Sequence, residues 1–247
     1  MIFISVVSHG HADLIKRLGT LDSLKDIFTI VVTDNIGEES LENYCKKNNV
    51  YYIKNSVCKG FGENNNQNYY FATQHLSMRD DDFFMIINPD VTVSSEALVA
   101  AQKEMYKSVS NIATINLVKD TGEYDANIRK FPKIYDFFFS YLFNKNRTIL
   151  NKNNINSNVN VDWASGSFLI FKSSLFKLIG GFDERFYMYC EDLDICKRVY
   201  SKTGERVLYI PNIKACHLAA HNNRKIFSKH FYWHLKSVFR YCLLARY

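Results

Sequence analysis

Three runs near the amino terminus decide the fold: Ile2-Phe3-Ile4-Ser5-Val6-Val7-Ser8, Phe28-Thr29-Ile30-Val31-Val32-Thr33-Asp34-Asn35 and Val50-Tyr51-Tyr52-Ile53. Each is short, rich in β-branched and aromatic residues, and nearly continuous in apolar side chains, as a strand buried on both faces must be. Between them, residues 12–18 and 38–47 carry helical spacing. Strands alternating with helices at this pace are βαβ units, so an α/β fold with a mostly parallel central sheet is expected. Ligands of such sheets sit beyond the carboxyl ends of the strands, which turns Ser8 to His11 and Asp34-Asn35 towards the expected site.

The alternation continues. Phe83-Phe84-Met85-Ile86-Ile87 reads as a fourth buried strand, running into Asn88-Pro89-Asp90 at its carboxyl end. Ser94 or Ser95 can cap a helix that reaches about Ser108, and residues 111–118 form a fifth strand. Ahead of the fourth strand, Lys59-Gly60-Phe61-Gly62-Glu63-Asn64-Asn65-Asn66-Gln67-Asn68 leads into a helix. Its glycines and asparagines can present N–H groups and amides to an anionic or polar ligand; such turns as often simply reverse the chain. From 119 to 160 the pattern loosens into Arg129-Lys130-Phe131-Pro132, an aromatic segment over 135–143 and an Asn/Lys-rich stretch over 144–160, expected as a mobile loop.

Beyond it lies an acidic and aromatic stretch from Trp163 to His217. Asp183, Glu184, Glu191, Asp192 and Asp194 are interleaved with Phe182, Phe186, Tyr187, Met188 and Tyr189. A solvated acidic loop would not carry so many rings. Carboxylates held among apolar groups point to a lined pocket with tuned pKa values. Residues 167–171 read as a strand, 173–179 and 191–201 as helices, and 206–210 and 213–216 as two short strands.

Composition bounds the class. The chain has 247 residues, 47% of them hydrophobic, enough for one sizeable core. Six cysteines occur without a CxxC pair, which fits free thiols in a reducing compartment better than disulfides or structural zinc. The apolar start is short and has no basic leader, so it reads as a strand rather than a signal peptide. No apolar run approaches the ~20 residues of a membrane span, and a soluble or peripheral protein is expected. The net charge of +6 lies in the tail: residues 222–247 contain Arg224, Lys225, Lys229, Lys236, Arg240 and Arg246 and no acid.

The order of motifs resembles the family 2 inverting nucleotide-sugar glycosyltransferases of GT-A fold. The resemblance runs from Val6 to about His221. It is carried by Asp34-Asn35, Gly60-Phe61-Gly62 with Asn65-Asn66, Asn88-Pro89-Asp90, Trp163-Ala164-Ser165-Gly166, Gly180-Gly181-Phe182-Asp183-Glu184-Arg185-Phe186 and Glu191-Asp192-Leu193-Asp194. Within the family the chain is most similar to bacterial O-antigen rhamnosyltransferases, which move L-rhamnose from dTDP-rhamnose to N-acetylglucosamine on a polyprenyl diphosphate. The tail, with Asn222-Asn223-Arg224, Phe227-Ser228-Lys229 and Trp233-His234-Leu235-Lys236-Ser237, adds to that closer match. The resemblance implies a GT-A domain over residues 1–221 and a basic helical extension over 222–247, at the cytoplasmic face of the cell membrane.

The roles it implies are these. Asp192 is the general base, since inversion needs one carboxylate to take the acceptor hydroxyl's proton; the plainer alternative is a helix N-terminal acid stabilised by the dipole. Asp183, Glu191 and Arg129 lie on the acceptor side, with Arg129 either meeting phosphate or simply solvated. Ser8, Asp34, Gly60, Asn65, Asn88, Asp90, Trp163, Ser165 and Gly166 bind the donor. Asp34 would accept from the pyrimidine N3–H, unless it is a strand-end turn residue; Trp163 would offer its face to a sugar, unless it is core. Asp90 and His217 would hold Mg²⁺ or Mn²⁺ against the diphosphate, with His221 four residues on. Many relatives have Asp-x-Asp where this chain has Asn88, and an amide is a weaker metal ligand. Helical spacing at Phe227, Phe231, Leu235, Val238 and Cys242 within a basic tail reads as an interfacial element on an anionic membrane. A nucleic-acid surface and an ordinary docked helix are the alternatives. Confinement of the charge to one tail argues against nucleic acid. Another nucleotide sugar, such as a UDP-hexose, or a sugar-nucleotide binder without catalysis, are the competing functions.

Overall fold

The structure, a computed structural model, describes residues 1–143, 146–218 and 229–244. Its first half follows the expected alternation. Strands β1 (Ile2–Ser8), β2 (Thr29–Asp34), β3 (Tyr51–Lys54) and β4 (Phe83–Ile87) are joined by helices α1 (Ala12–Leu18), α2 (Thr20–Leu24), α3 (Glu39–Lys47) and α4 (Phe61–His75). Four of these strands pair in the order β3-β2-β1-β4, all parallel. The second half supplies β5 (Val91–Thr92), α5 (Ser95–Lys107), β6 (Ile112–Val118), β7 (Ile128–Arg129), α6 (Ile134–Phe143), β8 (Val159–Val161), β9 (Trp163–Ala164), β10 (Phe168–Lys172), α7 (Ser173–Ile179), α8 (Glu191–Thr203), β11 (Val207–His217) and α9 (Lys229–Leu244).

These strands extend the sheet to β3-β2-β1-β4-β10-β6-β11-β5, with β8 also on β11. β10 enters antiparallel between β4 and β6, while β11 runs parallel to β6, so the sheet is mixed beyond β4. The inserted strand has a consequence for the site. Because β10 runs backwards, its beginning, and the loop from Trp163 before it, lies at the carboxyl end of the parallel strands. Asn88 N–H seals that junction by donating to Ser167 O (3.0 Å). β7 and β9 form a separate two-stranded ribbon that carries Arg129 opposite Trp163. The two short strands expected near the end are one strand, β11, whose register shifts between Ile210 and Lys214, around Pro211. Proline has no N–H for the ladder, so a break in register belongs there.

Period-two alternation divides the core. Ile2, Ile4, Val6, Phe83 and Met85 face one side, against Ile15, Leu24, Leu41, Leu98 and Met105. Phe3, Phe84 and Ile86 face the other, against Ala72, Phe176, Leu193, Cys196 and Val199. Ser94 caps α5, its hydroxyl accepting from Ala97 N–H (3.2 Å), worth ~1 kcal/mol.

Residues 144 and 145 lie outside the described residues; most of 146–160 is exposed, and the stretch is anchored to the domain at Thr148 and Lys152. Lys152 is 5% exposed, and its ammonium donates to Asn116 Oδ1 and Leu117 O, both at 3.0 Å. Lys130 N–H donates to Thr148 O (2.8 Å) and ties the segment to the β7 ribbon. A polar, lysine-rich stretch reads as solvated from its sequence; here the lysine finds two buried acceptors.

One face of α9 docks on the domain: Tyr241 is buried, Ser237 Oγ donates to Met188 O (2.8 Å), and Arg240 donates to Arg185 O. Trp233 packs on Tyr187 (4.9 Å between centroids) and Tyr241 on Phe137 of α6 (6.0 Å). The extension's Arg224, Lys225, Phe227 and Arg246, together with His221, lie outside the described residues.

Candidate active site

Asp192 sits in the first turn of α8, and an unusual turn puts it there. Tyr189 (φ 71°) and Cys190 (φ 64°) are consecutive non-glycine residues in the left-handed region. Such residues cost roughly 1–3 kcal/mol each and persist where packing over-determines them. The turn brings Asp192 under the loop that precedes β10, where Gly166 N–H donates to Asp192 Oδ2 (3.0 Å). A Cβ at Gly166 would lie 2.9 Å from Phe61 Cε1 and 3.7 Å from Asp192 Cβ, so glycine is what fits between ring and carboxylate. Burial raises the Asp192 pKa above the ordinary aspartate value; the N–H groups of Gly166 and Leu193 and the charge of Arg129 pull it back. Glu191 is driven well above its ordinary value, first by burial and then by the charge of Asp192, and its Oε2 is buried without a partner. Of the two acids, Asp192 is the one poised to ionise and take a proton.

Around Asp192 the structure gathers Asn88, Arg129, Trp163, Ser165, Gly166 and Glu191 along the wall of one cavity of about 1300 Å³. Trp163 is held by its own Nε1–H, which donates to Lys130 O (2.9 Å). Arg129 lies over the indole, 5.1 Å from its centroid, with Nε donating to Ala126 O (2.9 Å). Ser165 Oγ is buried and unpartnered on the same wall.

A second cluster assembles at the ends of β4, β6 and β11. His217 Nδ1 is 2.7 Å from Asp125 Oδ2, and its Nε2 is 3.4 Å from Asp90 Oδ2. Burial disfavours the imidazolium, but the hydrogen bonds and charges of Asp125 and Asp90 outweigh it, and the pKa rises to about 9. Burial likewise works against the two carboxylates, yet His217 holds both below the ordinary aspartate range. No group of three or more His, Cys, Asp and Glu side chains arranged to hold a metal ion occurs among the described residues. An Asp90 oxygen and His217 Nε2 would suit an ion that draws its remaining ligands from a diphosphate and water, the habit of Mg²⁺, with the Nε2 proton given up as the ion binds. Asp125 on the other ring nitrogen is the orienting carboxylate that ligating histidines carry.

Other expected site residues are placed elsewhere. Asp34, expected to read the base, organises the turn that follows β2. Its oxygens accept from Ile36 N–H (3.1 Å), Gly37 N–H (2.9 Å), Glu38 N–H (2.6 Å) and Tyr52 Oη–H (2.9 Å). Four donors occupy the lone-pair sites of its carboxylate. Asn65, expected at the donor, lies within α4, where it accepts from Ser5 Oγ–H (2.7 Å) and donates to Phe61 O (2.9 Å), fully buried against β1. Gly60 serves close approach, since a Cβ there would stand 2.5 Å from Tyr187 O. Ser8 is buried in its turn, its hydroxyl accepting from His11 N–H (3.2 Å) and its carbonyl from Asn35 N–H (2.9 Å). Asp183, expected on the acceptor side, is clamped by Arg185, with Nη2 to Oδ2 at 2.6 Å, and does not line the cavity.

Sequence reasoning missed Asp125, Phe61 and the α9 side chains His234, Leu235 and Phe239 that line the cavity. Asp125 had a usable signal, because it follows closely on the carboxyl end of β6. Phe61 and the α9 residues had none, since only the packing brings them to the site.

Comparison with known proteins supplies the last observations. No family model matches the chain. It is 38% identical over 250 residues to the rhamnosyltransferase WbbL of Escherichia coli strain K12, covering 100% of this chain and 93% of that protein. It is 39% identical over 79 residues to the N-acetylglucosaminyl-diphospho-decaprenol L-rhamnosyltransferase of Mycobacterium tuberculosis, covering 32% of this chain and 25% of that one. Among solved structures it is similar to the mannosyltransferase PcManGT from Pyrobaculum calidifontis in complex with GDP-Man and Mn²⁺. The TM-score is 0.61 at 14% identity, over 98% of this chain and 64% of that one. It is also similar to S. aureus TarS 1–349, with a TM-score of 0.58 at 15% identity, over 87% and 60%. At such identities the structural likeness bears on fold alone.

Proposed function

The chain belongs to the family 2 glycosyltransferases of GT-A fold, and from that premise we propose that it moves L-rhamnose from dTDP-rhamnose to a lipid-linked N-acetylglucosamine diphosphate in polysaccharide assembly. One observation carries the reading: Asp192, a half-buried carboxylate with a raised pKa, held by Gly166 N–H in a cavity that also contains Asn88 and Trp163. The names of the E. coli and M. tuberculosis relatives support the donor sugar, and the second supports the acceptor.

In the proposed reaction Asp192 accepts the proton of the acceptor hydroxyl. That oxygen bonds to the anomeric carbon as the bond to the nucleoside diphosphate breaks on the opposite face, which inverts the centre. Arg129 and the Trp163 face orient the sugars beside the carboxylate. Asp90 and His217 would hold a divalent cation, which offsets the charge growing on the diphosphate. Asn88 keeps a hydrogen-bonding amide where many relatives have a second aspartate.

No helix among the described residues is long and apolar enough to cross a membrane. A peripheral position at the inner membrane face is part of the proposal, supported by the exposed apolar residues of α9. Incubation with dTDP-rhamnose, UDP-glucose or UDP-galactose and a lipid-linked N-acetylglucosamine diphosphate tests the reading. Transfer from dTDP-rhamnose alone supports it, and transfer from a UDP-sugar instead sinks it. Failure to bind anionic vesicles at low salt would remove the peripheral placement.

A further inference from the structure

The cavity around Asp192 is larger than its chemistry needs. At about 1300 Å³ it exceeds the ~300–1,000 Å³ of an ordinary small-molecule site. The excess runs between α6 and α9, where Ile134 and Phe137 form one bank and Leu235, Phe239 and Leu243 the other. The three α9 residues recur at i, i+4 and i+8, so they form one stripe rising about 12 Å. They are 52%, 66% and 50% exposed.

The stripe is not bare because the helix is adrift. The opposite face of α9 is docked through Tyr241 and Ser237, which fixes the apolar face at the rim of the catalytic cavity. Contiguous large apolar side chains in that position call for an apolar occupant. Continuity with Asp192 says what kind. An occupant of this trough must also deliver a hydroxyl to the carboxylate, so it is an amphiphile with a sugar head rather than a partner helix. The cavity also contains the cations Arg129 and Lys236, which suit an anionic linker between head and chain.

Resting on the transfer reading above, we propose that the α6–α9 trough seats the first isoprenoid units of a diphospholipid acceptor. The tail helix is then a wall of the acceptor site as well as an element facing the membrane. On this account the lipid chain is recognised by the protein itself, without a bilayer.

The test uses the full chain without vesicles or turnover. Farnesyl diphosphate and inorganic diphosphate are the probes, titrated calorimetrically. The wild-type protein should bind farnesyl diphosphate at least about tenfold tighter than inorganic diphosphate. The double variant Leu235→Ser/Phe239→Ser should erase that difference while leaving dTDP affinity unchanged. Both positions are solvent-exposed, so folding is not at stake, and dTDP binding verifies it. Leu178→Ser, an equally exposed leucine on α7, should retain the difference. Absence of the preference in the wild type, or its survival in the double variant, overturns the proposal. A parallel assay of sugar transfer separates the two readings: no transfer to any acceptor, with the farnesyl preference intact, refutes the transfer reading and upholds the trough.

Discussion

Replacing Asp125 with asparagine keeps the shape of the side chain and removes the charge that stands 2.7 Å from His217 Nδ1. In the folded protein His217 has its pKa raised from 6.5 to about 9. A raised histidine stabilises fully below its unfolded pKa, and the contribution is lost as pH rises through the folded value. The window therefore runs from about pH 6.5 to about pH 9. At ~1.4 kcal/mol per pH unit the whole contribution is about 3 kcal/mol. Burial opposes the charge, and the Asp125 hydrogen bond is the largest contribution in its favour, so the variant forfeits half or more. The expected loss is roughly 1.5–2 kcal/mol at pH 6, shrinking to about 0.5 kcal/mol or less at pH 9.5, where the wild-type ring is neutral. The depressed Asp90 and Asp125 carboxylates describe the same ion pairs and add nothing further across this window. Urea unfolding in chelator-treated buffer at the two pH values measures both losses. Equal destabilisation at pH 6 and pH 9.5 would refute the charged clamp.

Gly60→Ala would set a methyl group 2.5 Å from the Tyr187 carbonyl oxygen, which is backbone and cannot swing away. A loss of about 2 kcal/mol or more is expected in denaturant unfolding, with sugar transfer reduced because Phe61 and the α8 turn part. Asn68→Leu strips partners from Ser5 and Thr33 in a fully buried network. Ser5 keeps its bond to Asn65 Oδ1, so Thr33 is the group orphaned, and at ~1–3 kcal/mol the melting temperature should fall by about 2–12 °C. Chelation should suppress transfer at least about 100-fold, with Mg²⁺ or Mn²⁺ restoring it, if Asp90 and His217 hold the cation that offsets the diphosphate. Full activity in chelator would remove the metal from the account.

Much of the fold is written in local patterns. The runs 2–8 and 83–87 match β1 and β4, and 173–179 matches α7, because buried strands and capped helices carry their periodicity in sequence. The reversal of β10 was not legible. Its apolar run reads the same in either direction, and orientation is set by its pairing with both β4 and β6. The site divided in a similar way. Trp163, Gly166 and Asp192 are near one another in the motif order and in space. The hydrogen bonds that occupy Asp34 in its turn and Asn65 inside α4 come from partners distant in sequence as well as near ones, and are visible only in three dimensions. The anchoring of Lys152 was not legible, because nothing in an Asn/Lys-rich run discloses two buried acceptors.

The account turns on the Asp192 carboxylate as proton acceptor. Asp192→Asn keeps an oxygen that can accept from Gly166 N–H and removes the base. Steady-state transfer by the variant, measured beside donor affinity, is the most direct test. The expected result is a fall in kcat of at least about 100-fold with donor Kd unchanged within about twofold. Turnover within about tenfold of wild type, at unchanged donor affinity, would contradict it.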